Sequence, residues 1–194
     1  MSASESSTAT TPAPESRERL AGTWQIDPAH SSVEFAVTHL MISKVRGRFS
    51  DVAGSVATDG TPAGSRIDVE IKTASISTHD NARDTHLRSA DFFDVEKYPQ
   101  MRFVSTSIRS GSGKDFHVTG DLTIHGVTRS VEMDVTSGGA GRDPWGNDRA
   151  GFSGALSIER SDFGLTWNQA LETGGVVVSN TVKVTFDVEL THKV

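Results

Sequence analysis

The 194-residue chain contains no cysteine. Disulfide bonds, thiolate metal sites and a cysteine nucleophile are therefore excluded. Long apolar runs are also missing: no window approaches the length that a membrane-spanning helix requires, so no integral membrane segment is expected. Positive charge is scarce, with 19 Lys and Arg residues against 25 Asp and Glu residues. Binding to nucleic acid would favour a basic stripe, and the sequence has none.

The first twenty residues differ in composition from the rest of the chain. They are rich in Ser, Thr, Ala and Pro, which is typical of a disordered segment. They have neither the basic start nor the apolar core of a secretory signal. We therefore predict a disordered tail over residues 1–20, one domain over residues 21–194 and a cytoplasmic location.

After residue 20, apolar and polar residues alternate over most of the chain. In the run "TVKVTFDVEL", which begins at Thr181, the apolar side chains share one face and the polar ones the other. Five further runs have the same period of two: "SVEFAVTHLM", "SRIDVEIK", "DFHVTGDLTIHG", "SVEMDV" and "GFSGALSIER". Breaker-rich segments such as "GGAGRDPWGN" separate them. This pattern with short connections predicts antiparallel strands.

Eight or nine such strands with one apolar face predict an all-β fold, either a sandwich or a closed barrel. Devices that protect edge strands, such as mid-strand proline, are few, which favours a barrel because closure removes the edges. A barrel of about eight strands can be filled by its own side chains or can hold a ligand. Composition alone does not distinguish a filled interior from a hollow one.

Two short stretches favour helical structure. The first covers Asn81–Leu87, with a second turn near Ser89–Asp94 for which Ser89 is the expected N-cap. The other is a turn around Asn168–Leu171. The barrel is thus expected to carry a short helical insertion.

The insertion contains two adjacent aromatic residues, Phe92 and Phe93. Neighbouring helical side chains point about 100° apart, so one ring can face into the barrel while the other packs on its rim. Such a segment serves either as a hydrophobic cap or as a lid that contacts a ligand. The sequence leaves both interpretations open.

Several polar residues have the chemistry of a metal or catalytic site. His79, Asp80, Asp84 and His86 lie within eight residues of one another, and imidazole with carboxylate suits zinc. The segment is rich in turn formers and has no HExxH register, which favours a salt-bridged loop. No GxSxG elbow occurs, and the turn "DPAHSS" favours local hydrogen bonding by His30. We predict no catalytic residue, no metal and no cofactor.

Four segments together resemble the YceI-like family. They are "DPAHSSVEFAVTHLMISKVRGRFSDVAGSV", "HDNARDTHLRSADFFDVEKYPQMRF", "GDLTIHGVTRSVEMDV" and "DPWGNDRAGFSGALSIERSDFGL". They occur in family order and cover most of residues 22–190. Four motifs in register make the resemblance specific.

The resemblance implies an extended, lipocalin-like antiparallel barrel of eight strands. It implies an internal tunnel that takes a polyisoprenoid or another long amphiphilic lipid, a homodimer, and no enzymatic activity. The segment Asp91–Asp94 matches the short helical insertion near that tunnel. Each buried CH₂ of such a ligand contributes about 0.8 kcal/mol, so a long chain binds tightly without hydrogen bonds.

The predicted ligand-binding residues are the inward-facing apolar side chains, one histidine and the aromatic residues of the insertion and a later loop. They are Phe35, Val37, His39, Met41, Phe49, Phe92, Phe93, Met101, Phe103, Leu122, Ile124, Met133, Phe152, Leu156 and Trp167. For a lipid head group the candidates are His39, Arg46 and Arg88. Two other functions stay open. One is an enzyme acting on an isoprenoid or fatty amide with His39 as general base, and the other is a stress-related interaction protein.

Overall fold

The computed structural model describes residues 20–172 and 174–192. The tail predicted over residues 1–20 therefore lies outside the described residues, apart from Leu20. The elements are the strands β1 (Gly22–Ile26), β2 (Ser32–His39), β3 (Ser43–Phe49), β4 (Val52–Thr58), β5 (Arg66–Lys72), β6 (Ile76–Ser77), β7 (Gln100–Ser110), β8 (Asp115–Ile124), β9 (Val127–Arg142), β10 (Asp148–Glu159) and β11 (Thr181–His192), with helix α1 (Asn81–Arg88) between β6 and β7. Short 3-10 turns cover Pro28–His30, Thr73–Ser75 and Arg160–Phe163.

Eight strands close into a barrel. Their order is β1-β4-β5-β7-β8-β9-β10-β11, and β1 pairs again with β11. Every pair in this ring is antiparallel. The closing pair aligns Gln25 with Thr191 and Ile26 with Leu190. The prediction of an all-β, eight-stranded antiparallel barrel is confirmed, and the sandwich alternative is wrong.

The remaining three strands lengthen the barrel at one end. Strand β2 also pairs with β11, from Asp187 back to Lys183, and carries β3 on its other side. Strand β6 pairs with β3. The turn at Pro28–His30 separates β1 from β2, and Asp27 caps it through a hydrogen bond from the Ala29 amide. At this end the sheet therefore extends beyond the closed ring, in the strand order β11-β2-β3-β6.

Helix α1 follows β6 and packs beside this extension. Asp80 is its N-cap, and the Asp80 side chain accepts a hydrogen bond from the Arg83 amide. Leu87 and Phe93 pack against a buried cluster that contains Ile76. Within the described ranges, no helix is both long and apolar enough to cross a membrane.

Three local predictions are wrong. Ser89 is the C-cap of α1, where its amide bonds to the His86 carbonyl, and Ser89–Asp94 forms turns rather than a second helical turn. The segment Asn168–Leu171 is not helical, because the Asn168 side chain bonds to both the amide and the carbonyl of Val178. In place of a helical turn, Ala170 and Val176 form an isolated antiparallel β-bridge.

The third wrong prediction is the inward orientation of Met41. Strand β2 ends at His39, and Leu40 and Met41 adopt left-handed conformations with φ of 51° and 63°. The alternation in the sequence continues through this turn although the strand does not. As a result the Met41 side chain is 62% exposed.

Candidate ligand-binding cavity

A cavity of about 740 Å³ runs inside the barrel. Alternate positions of the strands form its wall, as β11 illustrates: Val182, Val184 and Phe186 line the cavity, whereas Lys183 and Thr185 between them are exposed. Fourteen of the residues predicted to bind a ligand lie on the wall: Phe35, Val37, His39, Phe49, Phe92, Phe93, Met101, Phe103, Leu122, Ile124, Met133, Phe152, Leu156 and Trp167. Met41 does not line the cavity, for the reason given above.

Glycine residues keep the interior of the barrel open. Gly154 on β10 stands directly opposite Phe186 on β11, and a Cβ placed on Gly154 would come within 2.4 Å of the Phe186 Cζ atom. A Cβ placed on Gly120 would likewise come within 2.4 Å of the Phe103 Cζ atom. Each ring thus lies against the wall in space that only glycine leaves free, and it does not fill the centre.

Rings from three parts of the chain close the end of the cavity beside α1. His86 packs edge-on against Phe92 and Trp167, with centroids 5.1 Å and 4.8 Å away. Phe92 is itself 5.2 Å from Trp167. The His86 Nε2 atom lies 2.8 Å from a carboxylate oxygen of Asp91. Phe92 is buried, so the insertion covers this end of the barrel.

The second ring of the insertion continues the apolar wall. Phe93 contacts Phe49 edge-on at 5.8 Å, and Phe49 packs on Phe35 at 5.7 Å. Both Phe92 and Phe93 line the cavity. The sequence predicted one ring inside the barrel and the other on its rim, whereas both rings belong to the cavity lining.

A buried polar network lies behind the insertion. Asp84 Oδ1 accepts hydrogen bonds from the amide and the hydroxyl of Thr78. Arg83 donates to the same hydroxyl from Nε at 2.7 Å and to the Thr78 carbonyl from Nη2 at 3.0 Å. Burial raises the pKa of Asp84, but the Thr78 hydrogen bonds and the neighbouring Arg88 and Arg83 hold the pKa below its ordinary value. The network anchors the start of α1 to β6.

Arg160, which also lines the cavity, begins the 3-10 turn after β10 and is buried. Its Nε donates to the Ser179 carbonyl at 3.0 Å, and its Nη1 donates to the Leu165 carbonyl at 2.6 Å. Desolvation lowers the pKa of the Arg160 guanidinium. Sequence reasoning missed this residue, although it lies two positions after the inward-facing Ile158 and so shares its strand face.

The head-group candidates do not all reach the cavity. His39 lines it at the end of β2. Arg46 is exposed on the outer face of β3 and is solvated. Arg88 donates to the carbonyls of Ala74 and Ile76 at 2.9 Å and 2.6 Å. It therefore fastens α1 to β6, and neither Arg46 nor Arg88 is on the wall.

Three of the four residues considered for zinc have separate local partners. Asp80 caps α1, Asp84 bonds to Thr78 and His86 bonds to Asp91. The cluster of possible metal ligands among the described residues is a different one, Asp27, His30 and Glu189.

Arg149 already serves as the counter-ion in that cluster. Its Nη1 donates to carboxylate oxygens of both Asp27 and Glu189, and its Nε donates to Asp143 at 3.0 Å. A hydrogen bond to His30, followed by that of Arg149, lowers the pKa of Asp27 to about 2. The geometry is that of a salt-bridge network, which disfavours a cation at the same oxygens.

A closed antiparallel barrel around an apolar cavity defines a small-molecule binding β-barrel. The family model described as the YceI-like domain matches residues 24–190. The chain therefore belongs to the YceI-like family.

Relatives agree with this assignment. A UPF0312 protein of Pseudomonas putida is 43% identical over 151 residues, which cover 76% of this chain and 79% of that protein. A UPF0312 protein of Pseudomonas savastanoi is 46% identical over 137 residues, covering 70% of this chain and 71% of the relative.

Solved structures show the same fold. Burkholderia cenocepacia BcnA superimposes with a TM-score of 0.74 at 28% identity, covering 84% of this chain and 98% of BcnA. The YceI protein of Campylobacter jejuni gives 0.70 at 33% identity, covering 81% and 90%. A polyisoprenoid-binding domain from Saccharophagus degradans gives 0.64 at 17% identity, covering 88% and 98%.

Proposed function

We propose that the barrel binds a polyisoprenoid or a similar long-chain amphiphilic lipid and stores or transports it without chemical change. The observation that carries this proposal is the cavity itself. Its volume of about 740 Å³ lies within the range of ligand sites, roughly 300–1,000 Å³. Its wall is built mainly from aliphatic and aromatic side chains.

The physical chemistry of the wall matches a hydrocarbon ligand. Transfer of one CH₂ group from water contributes about 0.8 kcal/mol, so affinity accumulates along the chain without directional contacts. Met101 and Met133 on the wall have flexible side chains that adapt to a branched ligand. A carrier function follows, because such a lipid is poorly soluble in water.

The comparison with the Saccharophagus degradans domain supports the proposal through the fold. That domain is described as polyisoprenoid-binding, and the two folds superimpose with a TM-score of 0.64. We extend this ligand class to the present chain because its own cavity is lined mainly by apolar side chains.

A titration with a fluorescent polyprenol tests the proposal. We expect saturable, one-to-one binding by the purified full chain. Phe152→Asp should abolish uptake, since it places a carboxylate on the cavity wall, whereas Phe152→Leu should retain it; Phe103→Asp and Phe103→Leu form a second matched pair. Circular dichroism confirms that each variant is folded. Equal uptake by folded Asp and Leu variants at both positions would show that the ligand does not bind inside the barrel.

One observation favours a second candidate function. His39 is an imidazole on the cavity wall, and a general base in that position would act on an isoprenoid or fatty amide. Incubation with a fatty amide followed by mass analysis of the products tests this enzyme. Turnover that His39→Ala removes without loss of lipid binding would establish it, and an unchanged substrate would exclude it.

Two properties expected from the sequence also belong to this proposal. The homodimer predicts a mass of about twice that of the monomer in sedimentation equilibrium at micromolar concentration. The cytoplasmic location predicts that cell fractionation recovers the protein with cytoplasmic markers. A monomer in solution, or recovery in another fraction, would correct the respective prediction.

A further inference from the structure

Arg160 differs from Arg83 and Arg102, which also line the cavity, in having no carboxylate partner among the described residues. Arg102 pairs with Asp68, with Nη2 2.6 Å from Oδ2, and Arg83 lies close enough to Asp84 to lower the pKa of its carboxyl. Arg160 is only 6% exposed, yet its bonds go to two backbone carbonyls. Its charge is buried and uncompensated by the described part of the chain.

The guanidinium of Arg160 also keeps a donor available. Nε and Nη1 are used by Ser179 and Leu165, whereas Nη2 donates to none of the residues at 20–172 and 174–192. The side chain lines the cavity. The two carbonyl bonds fix the plane of the guanidinium, so the unused donor is held in position and loses little entropy on binding.

We propose that Arg160 is the head-group site of the cavity and that it selects lipids ending in an anionic oxygen group, a carboxylate or a phosphate. This inference rests on the proposed lipid-binding function. A hydrocarbon chain fits the apolar wall, and its anionic end supplies the counter-charge that the protein does not provide.

The energetic reason is the cost of an isolated buried charge. A buried cation without a partner is unfavourable, and an anion that accepts its hydrogen bonds offsets that penalty. An anionic oxygen supplies both a hydrogen-bond acceptor and the missing counter-charge, whereas a neutral hydroxyl supplies only the acceptor. An alcohol therefore gains less at Arg160 than a carboxylate or phosphate on the same chain.

Three probes with the same hydrocarbon test the inference on the wild-type chain: geranylgeraniol, geranylgeranoic acid and geranylgeranyl phosphate. We expect both anions to bind at least tenfold more tightly than the alcohol. A preference for one of the two identifies whether the natural head group is a carboxylate or a phosphate. Equal affinity for all three would overturn the head-group inference while lipid binding stands, and binding of none would instead refute the proposed function.

Variants assign the preference to Arg160. Arg160→Gln should reduce the affinity for both anions to that of the alcohol and leave the alcohol unchanged, and Arg160→Lys should retain part of the preference. Arg46→Gln on the outer face of β3 serves as the control and should change nothing. A folded Arg160→Gln variant with an undiminished preference would overturn the assignment. If this variant does not fold, the comparison between Arg160→Lys and the wild type decides, with equal preference counting against Arg160 because an ammonium lacks the planar donor pair.

Discussion

The ring of Phe35 lies against Gly47, its cross-strand partner, so closely that a Cβ on Gly47 would come within 2.4 Å of the Phe35 Cζ atom. Phe35 sits on β2 and Gly47 on β3, in the extension beside α1. Because glycine has no side chain, the ring occupies the wall. With the equivalent contacts of Phe103 and Phe186, this relationship leaves the centre of the barrel free for a ligand.

Substitution of Gly47 should therefore reduce the capacity of the cavity. In Gly47→Ala the added methyl displaces the Phe35 ring towards the interior, since the atoms it meets belong to the side chains of Phe35 and Thr78. We expect roughly a tenfold loss of affinity for the longest polyprenols and little change for short ones, measured by isothermal titration. Gly141→Ala on β9 has open space at its Cβ position and should bind like the wild type. An unaltered chain-length profile for Gly47→Ala would contradict the role assigned to this glycine.

Removal of the Trp167 ring should accelerate ligand release. Trp167→Ala eliminates the contacts with His86 and Phe92, and such aromatic pairs contribute about 0.5–1.5 kcal/mol each. A loss of about 1.4 kcal/mol, near the upper end of that range, corresponds to roughly tenfold faster dissociation, measurable by stopped-flow displacement of a fluorescent lipid. Trp145→Ala is the matched control because Trp145 is 82% exposed. Identical release rates for both variants would show that the rings beside α1 do not retain the ligand.

The network behind the insertion should contribute to stability. Asp84→Ala leaves the buried amide and hydroxyl of Thr78 without an acceptor, which costs about 1–3 kcal/mol in the free energy of unfolding. Asp84→Asn retains an acceptor oxygen and should lose less. Glu96→Ala alters an exposed acid in the segment that follows α1 and is the control for chemical denaturation. A stability of Asp84→Ala equal to that of the control would mean that the Thr78 contacts are not stabilising.

The Arg149 network predicts a defined acid sensitivity. Hydrogen bonds to His30 and Arg149 lower the pKa of Asp27 to about 2, and a hydrogen bond from Asn147, followed by other contacts, lowers that of Asp143 to about 2. Their folded pKa values lie below the ordinary value of 3.8, so their stabilisation is fully present above about pH 4 and is lost as the pH falls towards 2.

Thermal unfolding between pH 2 and pH 7 tests whether stability falls in this direction as the pH is lowered. The double variant Asp27→Asn and Asp143→Asn should have a lower Tm at pH 7 and a shallower decline between pH 4 and pH 2 than the wild type. Asp187→Asn on the exposed face of β11 should follow the wild-type curve. Parallel curves for the double variant and the wild type would contradict the contribution of these carboxylates.

The amino-acid sequence predicted the strands and the wall because both depend on alternation alone. Val184 and Phe186 illustrate this, since the period of two along β11 places them inward whichever strand lies beside them. Met41 shows the limit of the pattern: alternation in the letters continues past His39, where the backbone turns. Asn168 shows another limit. Its side chain forms hydrogen bonds with the backbone of Val178, which lies ten residues away, and the sequence pattern gives no sign of this contact.

Whether the barrel is hollow could not be predicted in the same way. The opposition of Phe186 and Gly154 depends on the register between two strands, which composition does not specify. The role of Arg160 also depends on tertiary structure, because its burial and its two carbonyl partners come from segments that lie up to 19 residues away. Its position two residues after Ile158 was the signal that could have placed it inward.

Native mass spectrometry of the full chain, isolated gently from cells, tests most directly whether the barrel holds a lipid. We predict a bound species whose mass exceeds that of the protein by one lipid molecule and which organic solvent extracts. A bare protein mass, together with no uptake of geranylgeraniol by the same preparation, would contradict the account.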